Sequence, residues 1–431
     1  MLKNFNKRKL ILLIVDILLL YFSLFITVIL GFEPGTRLEA LISHIPPFSI
    51  LYFFWLVGLY VSGFYDLHQL KTSFNIYSKI TASFILNFIF GITFFYLIPY
   101  FGITPKTNLL INMISFSLLF YLWRKLFYTF PSSKITKNVV ILGEEDICKD
   151  LEKEILSRPY LGYKVVSINK ENILKELSEK DIDILVIDNN ISYKRIYSLI
   201  SDKVSILDLP QAYEIFSERI PTYFVTQNWF LINLKKSKKF YYESIKRLLD
   251  IFSSILFSVL FLPLIPFIAL AIKLESEGPV FYSQERVGKN KKIFKLIKFR
   301  SMKESAEKET GAVWAQEKDP RITKVGKFLR KTHLDEIPQL VNIFKGDISL
   351  VGPRPERPEF VEKLEKEIPN YNLRHIIKPG FTGWAQVRFR YARTIDDSEE
   401  KFEYDLYYVK NRSLIVDLII FLKTFSLFFK K

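Results

Sequence analysis

Long apolar runs dominate the first third of the chain. They lie at about Leu10–Phe32, Pro46–Phe64, Ile80–Phe101 and Leu109–Phe130. Each is close to the roughly 20 residues that a helix needs to cross a bilayer. Buried core helices are the alternative, but four such runs in succession favour membrane spans. The sequence therefore predicts an N-terminal four-helix transmembrane bundle over residues 1–135.

Basic residues flank these runs unevenly. The loop after the first run carries only Arg37, whereas the N-terminus, the second loop and the exit from the fourth run carry Lys3, Lys7, Arg8, Lys9, Lys71, Lys79, Arg124, Lys125, Lys134 and Lys137. Lys and Arg concentrate in cytoplasmic loops of membrane proteins. We therefore expect a multi-pass membrane protein whose chain after Lys137 starts in the cytoplasm.

Residues 136–226 have the pattern of a small cytoplasmic α/β domain. Val139–Gly143 is typical of a buried strand that ends in a turn, a helical pattern covers residues 147–155, and further strands are predicted near Tyr163–Ile168 and Ile182–Ile187. This alternation indicates a doubly wound, Rossmann-like sheet. Three acidic residues follow Gly143 where a dinucleotide-binding domain would have further glycines, so nucleotide binding is not expected there.

The apolar run Leu248–Leu274 differs from the first four. Pro263 and Pro266 interrupt its centre, and basic residues lie on both sides, in the predicted linker 227–247 and again from Arg286 onward. A spanning helix would leave one basic cluster outside the cell. A helix that breaks at proline and returns to the same face satisfies both flanks. We therefore predict a re-entrant helix over residues 248–274, with Pro263 as a structural residue at its break.

The composition narrows the choice of partners. The net charge of +16 is compatible with nucleic acid, anionic lipid or phosphate-bearing ligands. No nucleic-acid-binding motif is present, so nucleic acid is not an expected partner. Cys148 is the only cysteine and there are four histidines, which makes a structural zinc site unexpected.

Candidate catalytic residues lie between Arg321 and Pro355. A basic helix is predicted first, followed by Thr332 as a possible cap and by Pro338, which suits the first turn of a second helix. Asp335 and Glu336 would then lie near a helix N-terminus. Adjacent carboxylates repel, which a cation such as Mg²⁺ relieves, and a carboxylate beside a metal-bound diphosphate is a candidate nucleophile. Spacing alone favours the simpler alternative that the pair complements the helix dipole.

Several cations accompany this pair. A turn containing Pro353 fixes the backbone before Arg354, and a guanidinium suits phosphate oxygens. Upstream, Arg286, Lys298 and Arg300 lie on strand-like segments. A rigid loop with a surface arginine is the alternative interpretation of the Arg354 turn.

Taken in order, these segments resemble the bacterial sugar transferase family, the monotopic phosphoglycosyl transferases. The matching segments are Lys246-Arg247 with Asp250, Gln284 to Gly288, Lys298 to Arg300, Leu334 to Leu340, Gly352 to Pro355 and Lys378 to Val387. With its membrane start and α/β middle domain, the chain resembles the long form of the family, the exopolysaccharide-type polyprenyl glycosylphosphotransferases.

The resemblance implies a two-step transfer. Asp335 would attack the sugar-bearing phosphorus of a UDP-sugar, UMP would leave, and polyprenyl phosphate would take the phosphosugar from the aspartyl intermediate. Mg²⁺ would be held at Asp335 and Glu336, and Arg330 and Arg354 would lie near the phosphates. Lys298, Arg300 and Arg286 are the further phosphate-binding candidates.

The same resemblance implies the rest of the organisation. Residues 275–431 would form a mainly α (α+β) cytoplasmic catalytic domain, ending in an apolar helix at Ser413–Phe429 that either lies in the membrane interface or packs on the domain. The product would begin exopolysaccharide or O-antigen/capsule assembly, and a homodimer is a possible assembly. A catalytically inactive membrane scaffold is the alternative function. The sugar is left open.

Overall fold

A computed structural model describes most of the chain, in two compact units, Met1–Ser217 and Glu218–Lys431. The described residues are 7–65, 76–97, 106–129, 137–143, 145–158, 162–167, 181–188, 204–233, 240–303, 320–389 and 394–428.

Four helices open the first unit: α1 Lys7–Gly31, α2 Arg37–Val61, α3 Ile76–Leu97 and α4 Lys106–Thr129. Helices α1, α2 and α4 contain segments that are long and apolar enough to cross a membrane, whereas the described part of α3 contains a shorter apolar segment, Ser83–Tyr96. The four predicted helices are thus present. Helix α2 starts nine residues before the predicted apolar run, so Pro46 and Pro47 lie within the helix. Membrane helices tolerate prolines at such positions.

Polar groups join the helices of this bundle. The guanidinium of Arg124 on α4 pairs with the carboxylate of Asp16 on α1 at 2.6 Å, and the Tyr65 hydroxyl donates to the same oxygen at 2.7 Å. Both charged side chains are buried. Arg124 is therefore neutralised inside the bundle, and the basic flank after α4 depends on its other residues.

The first unit continues with a parallel sheet. Its strands are β1 Lys137–Leu142, β2 Tyr163–Val165, β3 Ile184–Ile187 and β4 Ser205–Asp208, in the order β2-β1-β3-β4, and its helices are α5 Glu145–Ser157 and α6 Leu209–Phe216. The predicted strands and the first helix are confirmed. The connections across 168–180 and 189–203 lie outside the described residues, so the Rossmann-like assignment stays a prediction.

The second unit is a mixed α+β domain. Its helices are α7 Gln227–Asn233, α8 Phe240–Phe261, α9 Ile265–Glu275, α10 Lys324–Thr332, α11 Gln339–Lys345, α12 Pro358–Glu367, α13 Trp384–Arg388, α14 Ile395–Asn411 and α15 Leu414–Phe428. Strands β5 Phe281–Val287 and β6 Ile293–Phe299 form an antiparallel hairpin, and β7 Ser349–Val351 pairs in parallel with β8 Gly380–Thr382.

Helices α8 and α9 meet at the predicted proline break. A short 3-10 turn, Leu262–Leu264, contains Pro263 and separates the two helices, since proline lacks the amide hydrogen that an unbroken helix needs. Together they form the fourth segment that is long and apolar enough to cross a membrane. Helix α8 begins at Phe240, eight residues before the predicted boundary. The re-entrant course itself stays a prediction.

The C-terminal helix α15 is packed against the domain along one face. Val416 and Ile420 are fully buried, and the carboxylate of Asp417 accepts hydrogen bonds from Lys246 and Tyr242 on α8 at 2.6 and 2.8 Å. Ile415 remains exposed on the opposite side. The packed alternative therefore holds for one face, and a position in the membrane interface stays a prediction for the other.

Candidate active site

Asp335 and Glu336 lie in a turn between two helices. Helix α10 ends as His333 takes a left-handed conformation (φ 56°), and a 3-10 turn, Leu334–Glu336, leads into α11. The prediction that Thr332 caps the second helix is wrong. Thr332 is the last residue of α10, and its hydroxyl donates to carbonyls of the preceding turn. Pro338 precedes α11 directly, as its fixed φ favours.

An apolar core beneath this turn holds it in place. Ile337 and Leu340 pack in one buried cluster with Ile272 of α9, Phe299 of β6 and Leu329 of α10. The two carboxylates are themselves 7% exposed. Buried charges persist only where partners compensate them, so the pairing of each carboxylate decides its chemistry.

Glu336 is compensated twice. Its Oε1 accepts a hydrogen bond from Nη2 of Arg354 at 2.6 Å and another from Nζ of Lys298 at 3.3 Å. Burial alone would raise the pKa of the Glu336 carboxyl, but the Arg354 and Lys298 charges outweigh burial and hold that pKa well below its usual range. Glu336 is therefore a permanent carboxylate that anchors two cations.

Asp335 is left without such a partner. Within the described part of the chain, its side chain forms no ion pair or hydrogen bond with another side chain. Burial, reinforced by the neighbouring Glu336 charge, raises the pKa of Asp335, while Lys298 and Arg330 oppose that rise. A carboxylate that is poorly solvated, unpaired and surrounded by positive charge has the properties of a nucleophile for an anionic electrophile.

The β5–β6 hairpin supplies Lys298. Asn342 of α11 fixes strand β6 by accepting from the amide of Ile297 at 3.1 Å and donating to the carbonyl of Lys295 at 2.8 Å. Lys298 follows immediately and reaches Glu336. Burial lowers the pKa of Lys298, and the Glu336 charge opposes this.

The turn after β7 supplies Arg354. A Cβ on Gly352 would lie 2.7 Å from the carbonyl oxygen of Lys378, so only glycine allows this approach. The carbonyl of Pro353 accepts from the amide of Gly380 at 2.9 Å. The carbonyl of Arg354 itself accepts from the guanidinium of Arg374 at 2.8 Å. The predicted rigid turn is thus present and presents Arg354 to Glu336.

The remaining predicted cations differ in where they lie. Arg330 donates through Nε to the Ser301 hydroxyl at 2.9 Å and contributes positive charge at Asp335. Arg286 donates to the carbonyl of Pro355 at 3.3 Å and lies behind the Arg354 turn. The structure does not place Arg300 against Asp335 or Glu336. Its guanidinium donates to the carbonyls of residues 276 and 277, which fixes the turn after α9.

A charge network behind the Arg354 turn, buried at Arg374 and Asp405 and partly buried at Glu356 and Lys401, was not found by sequence analysis. Arg374 pairs with Asp405 of α14 at 2.8 Å, and Lys401 of the same helix pairs with Glu356. Burial would raise the pKa of Glu356, but Lys401 and Arg374 lower it to about 2. These residues come from three separate segments, so no local spacing indicates that they meet. Glu356 alone could have been suspected, because it follows the Arg354 turn directly.

Asp335 and Glu336 could hold Mg²⁺ only if substrate phosphates supply some of the other ligands. Among the residues that the structure describes, no group of three or more acidic, histidine or cysteine side chains could hold a metal. Mg²⁺ in phosphate-transfer sites is commonly held by one or two carboxylates together with substrate phosphates and water, and Asp335 with Glu336 offers that number. Lys298 and Arg354 already relieve the repulsion that the sequence assigned to a metal.

The fold and the charged pair define a membrane-associated α+β domain with a buried aspartate among phosphate-suited cations. Residues 241–431 match the family described as Bacterial sugar transferase. A segment of 185 residues is 40% identical to the Exopolysaccharide production protein PSS of Rhizobium leguminosarum bv. phaseoli and covers 92% of it and 42% of this chain. The chain belongs to the bacterial sugar transferase family.

Longer relatives are also similar to part of the chain. The UDP-N-acetylgalactosamine-undecaprenyl-phosphate N-acetylgalactosaminephosphotransferase of Aeromonas hydrophila is 50% identical over 183 residues, 42% of this chain and 43% of that protein. The UDP-glucose:undecaprenyl-phosphate glucose-1-phosphate transferase of Escherichia coli is 43% identical over 190 residues, 43% of this chain and 41% of that protein. The matched segment thus spans less than half the length of either relative.

Proposed function

We propose that this protein transfers a sugar-1-phosphate from a UDP-sugar to polyprenyl phosphate at the cytoplasmic face of the bacterial inner membrane and releases UMP. The product would be the first lipid-linked intermediate of exopolysaccharide or O-antigen/capsule assembly. The names of the Aeromonas and Escherichia coli relatives support the donor and acceptor classes. The observation that carries the proposal is the unequal pairing of Asp335 and Glu336.

In the first step, a carboxylate oxygen of Asp335 attacks the phosphorus that bears the sugar. A new bond forms between that oxygen and phosphorus, the bond from phosphorus to the bridging oxygen breaks, and UMP leaves with the electron pair. Lys298 and Arg354 lie at the pair and are placed to stabilise charge on the phosphate oxygens. Glu336 keeps both cations ordered before substrate arrives.

In the second step, a phosphate oxygen of polyprenyl phosphate attacks the same phosphorus. The bond between phosphorus and Asp335 breaks, which restores the carboxylate. The cations around the pair serve both steps, because negative charge develops on the same phosphoryl oxygens each time.

Asp335 and Glu336 would hold Mg²⁺ together with the substrate diphosphate. When bound, the ion would supply positive charge to the phosphate oxygens and to the departing UMP. The protein's own contribution is to keep Glu336 ionised and the cations in place.

The re-entrant course of α8–α9 is part of this proposal. At one end, Arg247 of α8 donates to carbonyls of α11 and Asp250 accepts from Ser349 of β7. At the other end, Glu275 of α9 accepts from the first two amides of α10. Both ends of the apolar segment therefore contact the same domain, which supports a helix that leaves the membrane on the side it entered.

Thiol labelling tests this topology. In a chain whose Cys148 has been replaced by serine, single cysteines at positions 238 and 291 should resist an impermeant thiol reagent in intact cells. A cysteine at position 35, in the loop predicted to be external, should be labelled and serves as the control. Labelling at 291 with protection at 238 would show that the helix spans the membrane.

UMP release tests the activity. Membranes containing the protein should release UMP from at least one member of a panel of UDP-sugars when polyprenyl phosphate is present, and the preferred member would identify the sugar. Failure to release UMP from every donor, with the protein correctly folded and inserted, would favour the inactive scaffold. The intact set of Asp335, Glu336, Arg330 and Arg354 supports the enzyme.

A further inference from the structure

A second cationic cleft lies beside the beginning of α8. It is lined by side chains that come from α8, β7, α14 and the segment before β8, including Lys246, Arg247, Asp250, Ser349, Lys378 and Tyr408. None of its lining residues is Asp335, Glu336, Lys298 or Arg354. The cleft is therefore separate from the site to which the transfer chemistry is assigned.

Ion pairs neutralise part of the positive charge in this cleft. Lys246 pairs with Asp417 of α15 at 2.6 Å, and Arg412 pairs with Glu243 at 3.3 Å. The charged lining groups that remain are two cations, Arg247 and Lys378, and one carboxylate, Asp250. The cleft thus keeps an excess of positive charge.

The two remaining cations converge on one point. Nζ of Lys378 and Cζ of Arg247 lie 3.2 and 3.3 Å from the position that a Cβ on Gly346 would occupy. Arg247 uses two of its five N–H donors on the carbonyls of Ile343 and Phe344, at 2.7 and 2.6 Å. Like charges at such proximity repel, and a bound anion would relieve the repulsion.

The Lys378 ammonium group is available to donate hydrogen bonds to a ligand. It forms no hydrogen bond or ion pair with any residue in the described part of the chain, although it is half-buried. Burial and the Arg247 charge lower the pKa of Lys378. The Asp250 charge opposes that lowering without forming an ion pair with Lys378, and its Oδ1 accepts from the Ser349 hydroxyl at 3.0 Å and from the amide of Leu350 at 2.9 Å.

The position of the cleft on α8 indicates what kind of anion it meets. Leu248, Leu249 and Phe252 follow Arg247 directly and are 68%, 49% and 64% exposed. In the proposed membrane placement these side chains enter the acyl region, which puts the cleft at the level of the lipid head groups. Lys and Arg at that level bind lipid phosphates.

We propose that the cleft lined by Arg247 and Lys378 is a binding site for the phosphate group of a membrane lipid. Lys378 donates hydrogen bonds to the phosphate, and Arg247 contributes fixed positive charge behind it. The site takes either a phospholipid or a polyprenyl phosphate, which present the same group. The inference rests on the proposed membrane placement of α8–α9 and not on the chemistry assigned to Asp335.

Native mass spectrometry of the full-length protein in detergent tests the site with matched ligands. Polyprenyl phosphate is compared with polyprenol, phosphatidylglycerol with diacylglycerol, and inorganic phosphate is added alone. Lys378→Gln removes the charge at similar length, and Lys378→Arg retains it. Lys366→Gln, at an exposed lysine on α12, makes the same charge change outside the cleft.

We expect Lys378→Gln to weaken binding of at least one phosphorylated lipid about tenfold, the loss of one charge-assisted contact. Lys378→Arg and Lys366→Gln should bind as wild type, and the lipid alcohols should be insensitive to Lys378→Gln. A Lys378-dependent preference for polyprenyl phosphate alone would identify the acceptor, and one for phosphatidylglycerol would identify a structural phospholipid.

Two outcomes would overturn the inference. Equal lipid binding by Lys378→Gln and Lys366→Gln would show that the cleft does not bind lipid phosphate. Equally tight, Lys378-dependent binding of inorganic phosphate would show that the site does not recognise a lipid. Asp335→Asn separates this inference from the proposed function, because it should lose transfer activity and keep Lys378-dependent lipid binding.

Discussion

Two clusters of buried charge lie in the second unit, and they are paired differently. In the cluster of Glu356, Arg374, Lys401 and Asp405, each carboxylate has a cation of its own. In the pair site, the cluster around Asp335 and Glu336, both Lys298 and Arg354 contact Glu336, and Asp335 is left unpaired. With Arg286 counted in the first cluster and Arg330 in the second, each holds two acidic and three basic side chains. The distribution of contacts, and not the sum of charges, therefore distinguishes a structural network from a candidate reactive centre.

Asp335→Asn should have the largest effect, and on activity alone. The amide is nearly isosteric, and no described side chain loses a hydrogen bond or ion pair to residue 335, so the melting temperature should stay close to that of the wild type. UMP release should fall by several orders of magnitude, since only binding and charge stabilisation remain. Retention of more than about a tenth of the activity would show that Asp335 is not the nucleophile.

Asp405→Asn should give the opposite result. It leaves the buried Arg374 guanidinium without its anion, and breaking a buried pair in this way costs about 3 kcal/mol of folding free energy. Chemical or thermal unfolding of the purified protein measures the loss. A variant as stable as the wild type would mean that the Arg374 network is not a structural counterpart of the pair site.

Arg354→Lys should be intermediate. The positive charge beside Glu336 remains, but the planar fork that holds Glu336 and can address phosphate oxygens is lost. We expect kcat/KM for the UDP-sugar to fall about tenfold or more, with little change in stability. Arg300→Lys is the matched comparison. It should affect stability before activity, because Arg300 bonds to the turn after α9.

Glu403→Gln should have the smallest effect on stability, because Arg219 keeps Glu400 as a second partner. The effect should show mainly in the pH dependence of stability. Burial, opposed by Arg219, raises the pKa of Glu403 from 4.5 to about 7. A carboxyl with a raised folded pKa contributes stability that is fully present below the unfolded pKa and is lost as pH rises through the folded value. Wild type should therefore lose melting temperature from pH 4.5 to about 7 more steeply than Glu403→Gln.

An exposed glutamate provides the control for that comparison. Glu362→Gln on α12 should follow the pH profile of the wild type, since its side chain is exposed. If Glu403→Gln and Glu362→Gln have the same profile, the Glu403 carboxyl does not titrate near neutrality in the folded protein.

Local features were predictable because local residues determine them. The hydrophobic pattern placed α10 and three of the strands of the first unit, and Pro263 marked the break between α8 and α9. The adjacency of Asp335 and Glu336 identified the candidate site. Spacing did not show which carboxylate would be paired, because the partners lie 38 and 18 residues away along the chain.

Errors arose where tertiary contacts override local pattern. Thr332 has the residue type of a cap but ends α10 instead, because His333 adopts a left-handed conformation after it. Arg300 has the residue type of a phosphate ligand, and tertiary contacts direct its guanidinium to backbone carbonyls, so its role at the phosphates stays a prediction. The Arg374–Asp405 pair joins residues that are distant in sequence, and nothing local indicates that they meet.

The most direct test of the account is a single turnover with donor alone. Incubated with a UDP-sugar and no polyprenyl phosphate, the wild-type protein should release about one UMP per active enzyme and retain the phosphosugar on Asp335 as a hydroxylamine-labile bond. Asp335→Asn should release none and carry no label. UMP release that requires polyprenyl phosphate, with no labelled protein at any time, would contradict a covalent intermediate and establish direct transfer between the two substrates.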